Sequence, residues 1–256
     1  AAEHIKRKLP SMYHQFKELG GIDITTEPME VGPTTHYVMG GVRVDAETQM
    51  SRVPGLFACG ECACGINGAN RLGGNSLSDL IVFGQRAGQF AAKYANEHAA
   101  PSLHTDQVEA AARRTLEPFE RAGGSEGPFQ VQQDLQDMMQ DLVGIVRRED
   151  EMLRALEGLA ALRQRAARVK VSGNREYNPG WHTALDLDNL LTVSEAVTRA
   201  AIERKESRGA QYRTDYPERN DDEWLKHIDL QKTDDGPELS YSEVTITQWQ
   251  PEARTY

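Results

Sequence analysis

The sequence predicts a mixed α/β segment, then an α-helical bundle, then an irregular tail. Three observations carry this reading. Up to about residue 97, short β-like runs are separated by glycine-rich turns. From about residue 102 to 207, apolar residues recur three and four apart, the period of an amphipathic helix. From Ser207 onward the chain is polar, with Asp215, Pro217, Asn220 and Asp222, and shows no such period.

In the first segment, Ile5 to Leu19 predicts a helix stopped by Gly20-Gly21. Ile22 to Ile24, Val31, His36 to Met39 and Val42 to Val44 read as short extended pieces, punctuated by Pro28, Gly32 and Pro33. Val53-Pro54-Gly55 is a turn, and Leu56-Phe57-Ala58-Cys59 reads as a short buried strand ending at Gly60-Glu61. From Ser76 the period changes. Leu77, Leu80, Ile81, Gly84, Ala87, Gly88 and Ala91 share one helical face, with Ser76 and Asp79 spaced as a capping box. Gly84 and Gly88 would let that helix press closely on a neighbour.

In the second segment, Val108, Ala112, Leu116 and Phe119 mark a helix ending at Gly123-Gly124, and Pro128 opens the next at its favoured early position. The apolar positions Val131, Leu135, Met138, Leu142 and Ile145 form a bundle seam. A third helix begins with Met152, Leu156, Leu159 and Leu162, and a fourth carries Leu187, Leu190, Leu191, Val197 and Ala201. The pattern predicts a small antiparallel bundle, with Met138-Met139 in core packing. In the tail, Val244 to Trp249 is the last β-like run.

Composition narrows the function classes. With 29 Lys and Arg against 39 Asp and Glu, the net charge of −10 argues against generic nucleic-acid binding, which needs clustered cations. Lys6-Arg7-Lys8 and Arg113-Arg114 read as solvated helix faces. No run of eighteen apolar residues predicts a membrane span. No start resembles a signal peptide, and Glu3 to Lys8 reads as interior sequence, so further sequence upstream is expected. The three cysteines, Cys59, Cys62 and Cys64, crowd one hexapeptide. That spacing fits a reducing compartment rather than a disulfide framework, and no fourth cysteine completes a cluster or structural zinc site.

The run Gly68-Ala69-Asn70-Arg71-Leu72-Gly73-Gly74-Asn75-Ser76 carries the chemistry. Glycines bring backbone close to a ligand, and the following helix aims its N-terminal amides and positive dipole end back at the loop. Such a place suits an anion or an electron-rich ring edge. Arg71 keeps its charge near neutral pH and offers a planar fork for a carboxylate. His36 follows an extended run just before Gly40-Gly41, and Glu61 ends a strand, where α/β sheets meet ligands. No G-x-G occurs anywhere, so the first-strand dinucleotide fingerprint is absent and only the closing part of such a domain is expected.

Three segments resemble one family in order. They are Pro33-Thr34-Thr35-His36-Tyr37-Val38-Met39-Gly40-Gly41, Val53 to Glu61, and Gly68 to Leu80. Together with Glu206 to Ala210, Asp215 to Arg219, Asp222 to His227 and the closing Arg254-Thr255-Tyr256, they are similar to succinate dehydrogenase and fumarate reductase flavoprotein subunits. The resemblance implies an α/β FAD-binding domain portion at 35–99, preceded at 1–34 by the end of an α+β substrate-capping domain. A helical bundle domain at 100–207 and a C-terminal tail at 208–256 would follow. It implies FAD as cofactor, with Glu61, Asn75, Ser76 and Leu77 in contact with it, and His36 and Arg71 holding the carboxylates of a C4 dicarboxylate. The expected activity is oxidation of succinate to fumarate. Electrons would pass to an iron–sulfur subunit, which holds the clusters, and on through a membrane anchor subunit to quinone. The implied location is the cytoplasmic face of a bacterial plasma membrane, peripheral through those partners. No residue of this chain is assigned the proton transfer, whose arginine the family carries upstream. Asn67, Gln211 and Asn220 depart from the family's commoner residues.

Related readings are fumarate reduction and L-aspartate oxidation. The segments around His36-Tyr37, Gly60-Glu61 and Gly68 to Leu72 are shared with L-aspartate oxidase, whereas Asp221 to His227 favours the dehydrogenase. A different class is a non-enzymatic assembly module, in which the bundle docks a partner and the glycine loop is only structural.

Overall fold

Pro10 splits the opening helix in two. In the computed structural model, which describes residues 2–30, 32, 35–122, 126–234 and 236–252, α1 spans Ala2–Lys8 and α2 spans Pro10–Gly20. Proline lacks an N–H and sits where a new helix can start without one. Gly21 closes α2 at φ 69°, and Ile22 N–H reaches back to the Phe16 carbonyl at 3.0 Å, a glycine stop as expected. The chain divides into two compact units, 1–36 and 37–256. Among the described residues of the first unit, no residue of α1 or α2 is buried. Val31, Pro33, Thr34, Gly123-Gly124 and Arg254-Thr255-Tyr256 lie outside the described residues.

The second unit opens with little regular sheet. Val42 bridges Ala63 in parallel, Val44 bridges Ser51, and Met50 bridges Phe57, each as a single pair. The buried strand expected over Leu56–Cys59 is therefore reduced to one bridge, and Leu56 is exposed. The Val53-Pro54-Gly55 turn leaves too few residues to pair on both sides. A single turn of 3-10 helix, Gly60–Cys62, leads to the glycine loop.

Helix α3, Asn75–Glu97, follows that loop. Its N-cap is Gly74 at φ 84°, with no side-chain cap, so the expected Ser76/Asp79 capping box does not form. Helix registers are set by backbone geometry at the cap, and the left-handed Gly74 places the N-cap two residues before Ser76. The expected close neighbour at Gly84 and Gly88 is not found among the described residues, and Leu77, Leu80 and Ile81 on that face are exposed.

The helical region matches its periodicity. Helices α4 (Thr105–Glu120), α5 (Pro128–Val143), α6 (Glu149–Ala166) and α7 (Pro179–Glu203) follow. Val131 and Leu135 of α5, Leu159 and Leu162 of α6, and Leu187 and Leu191 of α7 form one buried cluster, with Met138 and Met139 packed against it. Val143, Met152, Ala155 and Ala201 form a second. α4 is tied in by polar bonds: Trp181 Nε1 donates to the Thr115 carbonyl at 2.8 Å, and Arg121 Nη1 to those of Ala166 and Val169 at 3.1 and 3.0 Å.

The C-terminal region is not the irregular tail that composition predicts. Residues Val146–Arg147 (β1) and Tyr212–Arg213 (β2) pair in parallel. After a short helix α8, Asp221–Trp224, strands β3 (Lys226–Thr233) and β4 (Gly236–Glu243) make an antiparallel hairpin, with Thr233 opposite Gly236. Strand β4 ends at Glu243, so the β-like run over Val244–Trp249 is not a strand. In total the described residues are a mixture of eight α-helices and two small sheets.

Candidate active site

Within the second unit, the glycine loop and the segment from Tyr37 to Val38 meet around one arginine. The Arg71 guanidinium lies over the Tyr37 ring, 4.7 Å from its centroid, and Nη1 donates to the Leu72 carbonyl at 3.2 Å. Tyr37 is itself held: its hydroxyl donates to Asp79 Oδ2 at 3.1 Å and accepts from Asn67 Nδ2 at 3.4 Å. Asp79 sits in the first turns of α3 and is only 6% exposed. Burial, then the Asp79 carboxylate, raises the Tyr37 phenol above its usual value, so the ring stays neutral beneath the cation. Among the described residues, Arg71 Nε and Asp79 Oδ1 are buried without a hydrogen-bond partner.

The predicted ligand residues distribute around this centre. Asn75 opens α3 and its N–H bonds the Leu72 carbonyl at 3.2 Å; Ser76 is half-buried beside it, and Leu77 is 67% exposed. Glu61 is exposed, and Oε1 accepts from Val38 N–H at 2.9 Å, which ties the glycine-turn carboxylate to the residue after Tyr37. Arg71, Glu61, Asn75, Ser76 and Leu77 thus all belong to the second unit. His36 is exposed and is the last residue of the first unit.

The loop fits an anionic or electron-rich ligand such as a flavin edge. Helix N-termini leave their first amides unpaired within the helix, and Gly74 supplies no side-chain acceptor for them. A Cβ built on Gly73 or Gly74 would meet nothing within 4 Å, so the approach to those amides is open. The three thiols are free; Cys62 Sγ donates to the Cys59 carbonyl at 3.2 Å, and burial raises the Cys64 thiol.

Sequence reasoning missed Tyr37, Asn67 and Asp79 as site-forming residues. Asp79 had a local signal, but it pointed to a cap. Asn67 stood out only as a departure from a motif.

The C-terminal region reaches the same loop. Ala210 N–H donates to the Ala69 carbonyl at 2.9 Å, two residues before Arg71. Gly209 has φ +61°, and a Cβ there would overlap the Ala69 carbonyl oxygen. Gln211, whose role the sequence left open, accepts from Arg147 Nη1 at 2.6 Å and donates to the Ala201 carbonyl at 3.1 Å. Asn220 caps α8, accepting from Glu223 N–H at 3.1 Å.

Comparison with known proteins gives the family. The family model for the fumarate reductase flavoprotein C-terminus matches residues 132–256, and the FAD binding domain model matches residues 1–77. The chain is 38% identical over 260 residues to the fumarate reductase flavoprotein subunit of Haemophilus influenzae, covering 99% of this chain and 43% of that protein. It is 39% identical over 237 residues to the succinate dehydrogenase flavoprotein subunit of Coxiella burnetii, covering 87% of this chain and 40% of that protein. Among solved structures it is similar to Mycobacterium smegmatis Sdh1 in complex with UQ1, at TM-score 0.86 and 49% identity, over 96% of this chain and 42% of that one. The chain therefore spans less than half the length of the relatives it matches. With an FAD binding domain match at one end and a flavoprotein C-terminal match at the other, it belongs to the FAD-dependent succinate dehydrogenase and fumarate reductase flavoprotein family.

Proposed function

We propose that this chain forms the C-terminal part of a succinate dehydrogenase flavoprotein subunit, which oxidises succinate to fumarate. The observation that carries the reading is Arg71, fixed over a neutral ring in the loop that ends at the uncapped start of α3. A planar guanidinium so held presents a fork to one substrate carboxylate. His36, which stands just before Gly40-Gly41, is the ligand proposed for the other. Clamping both carboxylates fixes the two central carbons, where proton loss and hydride removal occur on adjacent atoms.

FAD, when bound, would supply the hydride acceptor. Asn75, Ser76 and Leu77, at the uncapped start of α3, would hold the flavin, and the positive end of the helix dipole there would stabilise negative charge on it. Glu61 is exposed and would accept hydrogen bonds from hydroxyls of the cofactor. The proton-transfer arginine belongs to sequence outside this chain. Electrons leave through an iron–sulfur subunit and a membrane anchor subunit to quinone. The flavoprotein itself is peripheral, on the cytoplasmic face of a bacterial plasma membrane; none of its described helices is long and apolar enough to cross a membrane. Fumarate reduction uses the same site in reverse, with direction set by the flavin and quinone potentials.

The test is Arg71→Ala in the complete flavoprotein. Loss of a charge-assisted carboxylate contact of a few kcal/mol lowers kcat/KM for succinate about 100- to 1,000-fold, with flavin content unchanged. Unchanged turnover would move the chain to the assembly-module reading. A parent protein that oxidises aspartate but not succinate would move it to L-aspartate oxidase.

A further inference from the structure

We propose that Tyr37, locked by Asp79, is the positioning residue for Arg71. The chain of contact is short and directional. Asp79 projects from α3, Tyr37 O–H donates to its Oδ2 at 3.1 Å, and the Tyr37 ring carries the Arg71 guanidinium at 4.7 Å. The helix that faces the cofactor thereby sets the plane of the arginine that meets the substrate. This rests on reading Arg71 as a carboxylate ligand.

Three physical points support it. An arginine side chain has four rotatable bonds, and freezing them before substrate arrives lowers the entropy cost of binding. The face of an aromatic ring attracts a guanidinium, most strongly where water is excluded, and leaves its N–H edge available for a carboxylate. Arg71 Nε is itself buried, so the inner part of the side chain is already withdrawn from water. The Tyr37 hydroxyl does not serve as acceptor to Arg71; it is committed to Asp79 and Asn67. Its part is to stop the ring from rotating away. Tyr37 in turn gives the buried Asp79 carboxylate a donor at Oδ2, while Oδ1 has none among the described residues.

The test compares Tyr37→Leu, which removes the ring face, with Tyr37→Phe, which keeps it. Both are made in the complete flavoprotein, with Arg71→Gln in parallel. Flavin content is read from absorbance. Binding of malonate, a dicarboxylate that cannot be dehydrogenated, is read from the flavin spectrum. The Leu variant is expected to bind malonate about tenfold more weakly and to raise KM for succinate by a similar factor, at parental flavin content. The Phe variant restores binding to within about threefold of the parent. A purely structural role would lower the yield of flavin-loaded protein without moving KM. Parental malonate affinity in the Leu variant overturns the proposal, as does equal weakening in Leu and Phe. If the Leu variant does not assemble, Tyr37→Met, which fills the space without a π face, decides by the same criteria. If Arg71→Gln keeps parental affinity, it is the reading of Arg71 that fails. If Arg71→Gln loses affinity while Leu does not, only the positioning role fails.

Discussion

At the scale of single residues, the most demanding groups lie behind the glycine loop. Arg213 and Glu206 are each 0% exposed. A buried charge is tolerated only when paired and fully hydrogen-bonded. Arg213 meets this by gripping Asp215 through two bonds, at 2.8 and 2.6 Å, and by donating to the Ala201 and Ile202 carbonyls at the end of α7. Glu206 is enclosed by Arg204 and Arg208, each at 2.7 Å, and by the Asn220 N–H at 2.8 Å. The Arg213 contact, with help from Glu149 N–H, holds the Asp215 carboxyl down at about 2, from an ordinary 3.8. A depressed carboxyl stabilises the fold above its unfolded value and loses that contribution as pH falls through its folded value. Asp215→Asn is therefore expected to cost about 2–3 kcal/mol at neutral pH. The gap between parent and variant should close as pH drops from about 4 to about 2, in urea unfolding followed across that range. A gap independent of pH would mean that the ion pair is not its source.

At the scale of elements, the helices were the most legible part of the sequence, because a period of three to four survives any tertiary context that buries one face. The seam from Val131 through Leu135 and the Leu187 and Leu191 positions land in one cluster as their spacing requires. The strands were less legible for a physical reason. Sheet pairing depends on partners remote in sequence, and Leu56–Cys59 had an apolar run but no adjacent strand of comparable length. The β3–β4 hairpin was lost in polar composition: Lys226 to Thr233 buries Ile228 and Leu230 only partly, so no strong alternation marked it. At the start of α7 the cap is a side chain. Asn178 starts α7 by accepting from Trp181 N–H at 3.1 Å, and its amide also donates to the Ser172 and Asn174 carbonyls at 3.0 and 2.7 Å. Asn178→Ala is expected to cost about 1–2 kcal/mol in urea unfolding. Asn178→Asp, which keeps the cap and loses the two donors, should fall between parent and Ala. An Asp variant no better than Ala would remove the cap as a contributor.

At the scale of the whole second unit, the site is completed by residues far apart in sequence. The glycine loop and the helix it leads into were legible from composition and period. The clamp on that loop was not, because nothing local to Ala69 marks it as the partner of Gly209 and Ala210. Those two residues are carried by the turn between Arg208 and Gln211, anchored by the Glu206 carboxylate on one side and by Gln211 to Arg147 on the other. Arg43 adds a second tie, bonding Asp229 of β3 at 2.7 Å. The C-terminal region therefore holds the glycine loop as well as following it in sequence. Gly209→Ala tests this directly. The left-handed backbone alone costs about 1–2 kcal/mol for a non-glycine residue. The new methyl also overlaps a backbone carbonyl, which cannot rotate aside as a side-chain end could. The turn that carries Ala69 must then move, carrying Arg71 with it. Expected outcomes in the complete flavoprotein are a lower unfolding midpoint and a dicarboxylate affinity reduced at least severalfold, with flavin still bound. Proline at 209 would be uninformative, since it cannot adopt a positive φ at all, whereas Gly209→Asn tolerates the left-handed region but keeps the overlap. Asn should therefore recover part of the stability without recovering the affinity. Full recovery of both would mean that backbone strain, and not the contact with Ala69, makes glycine necessary there.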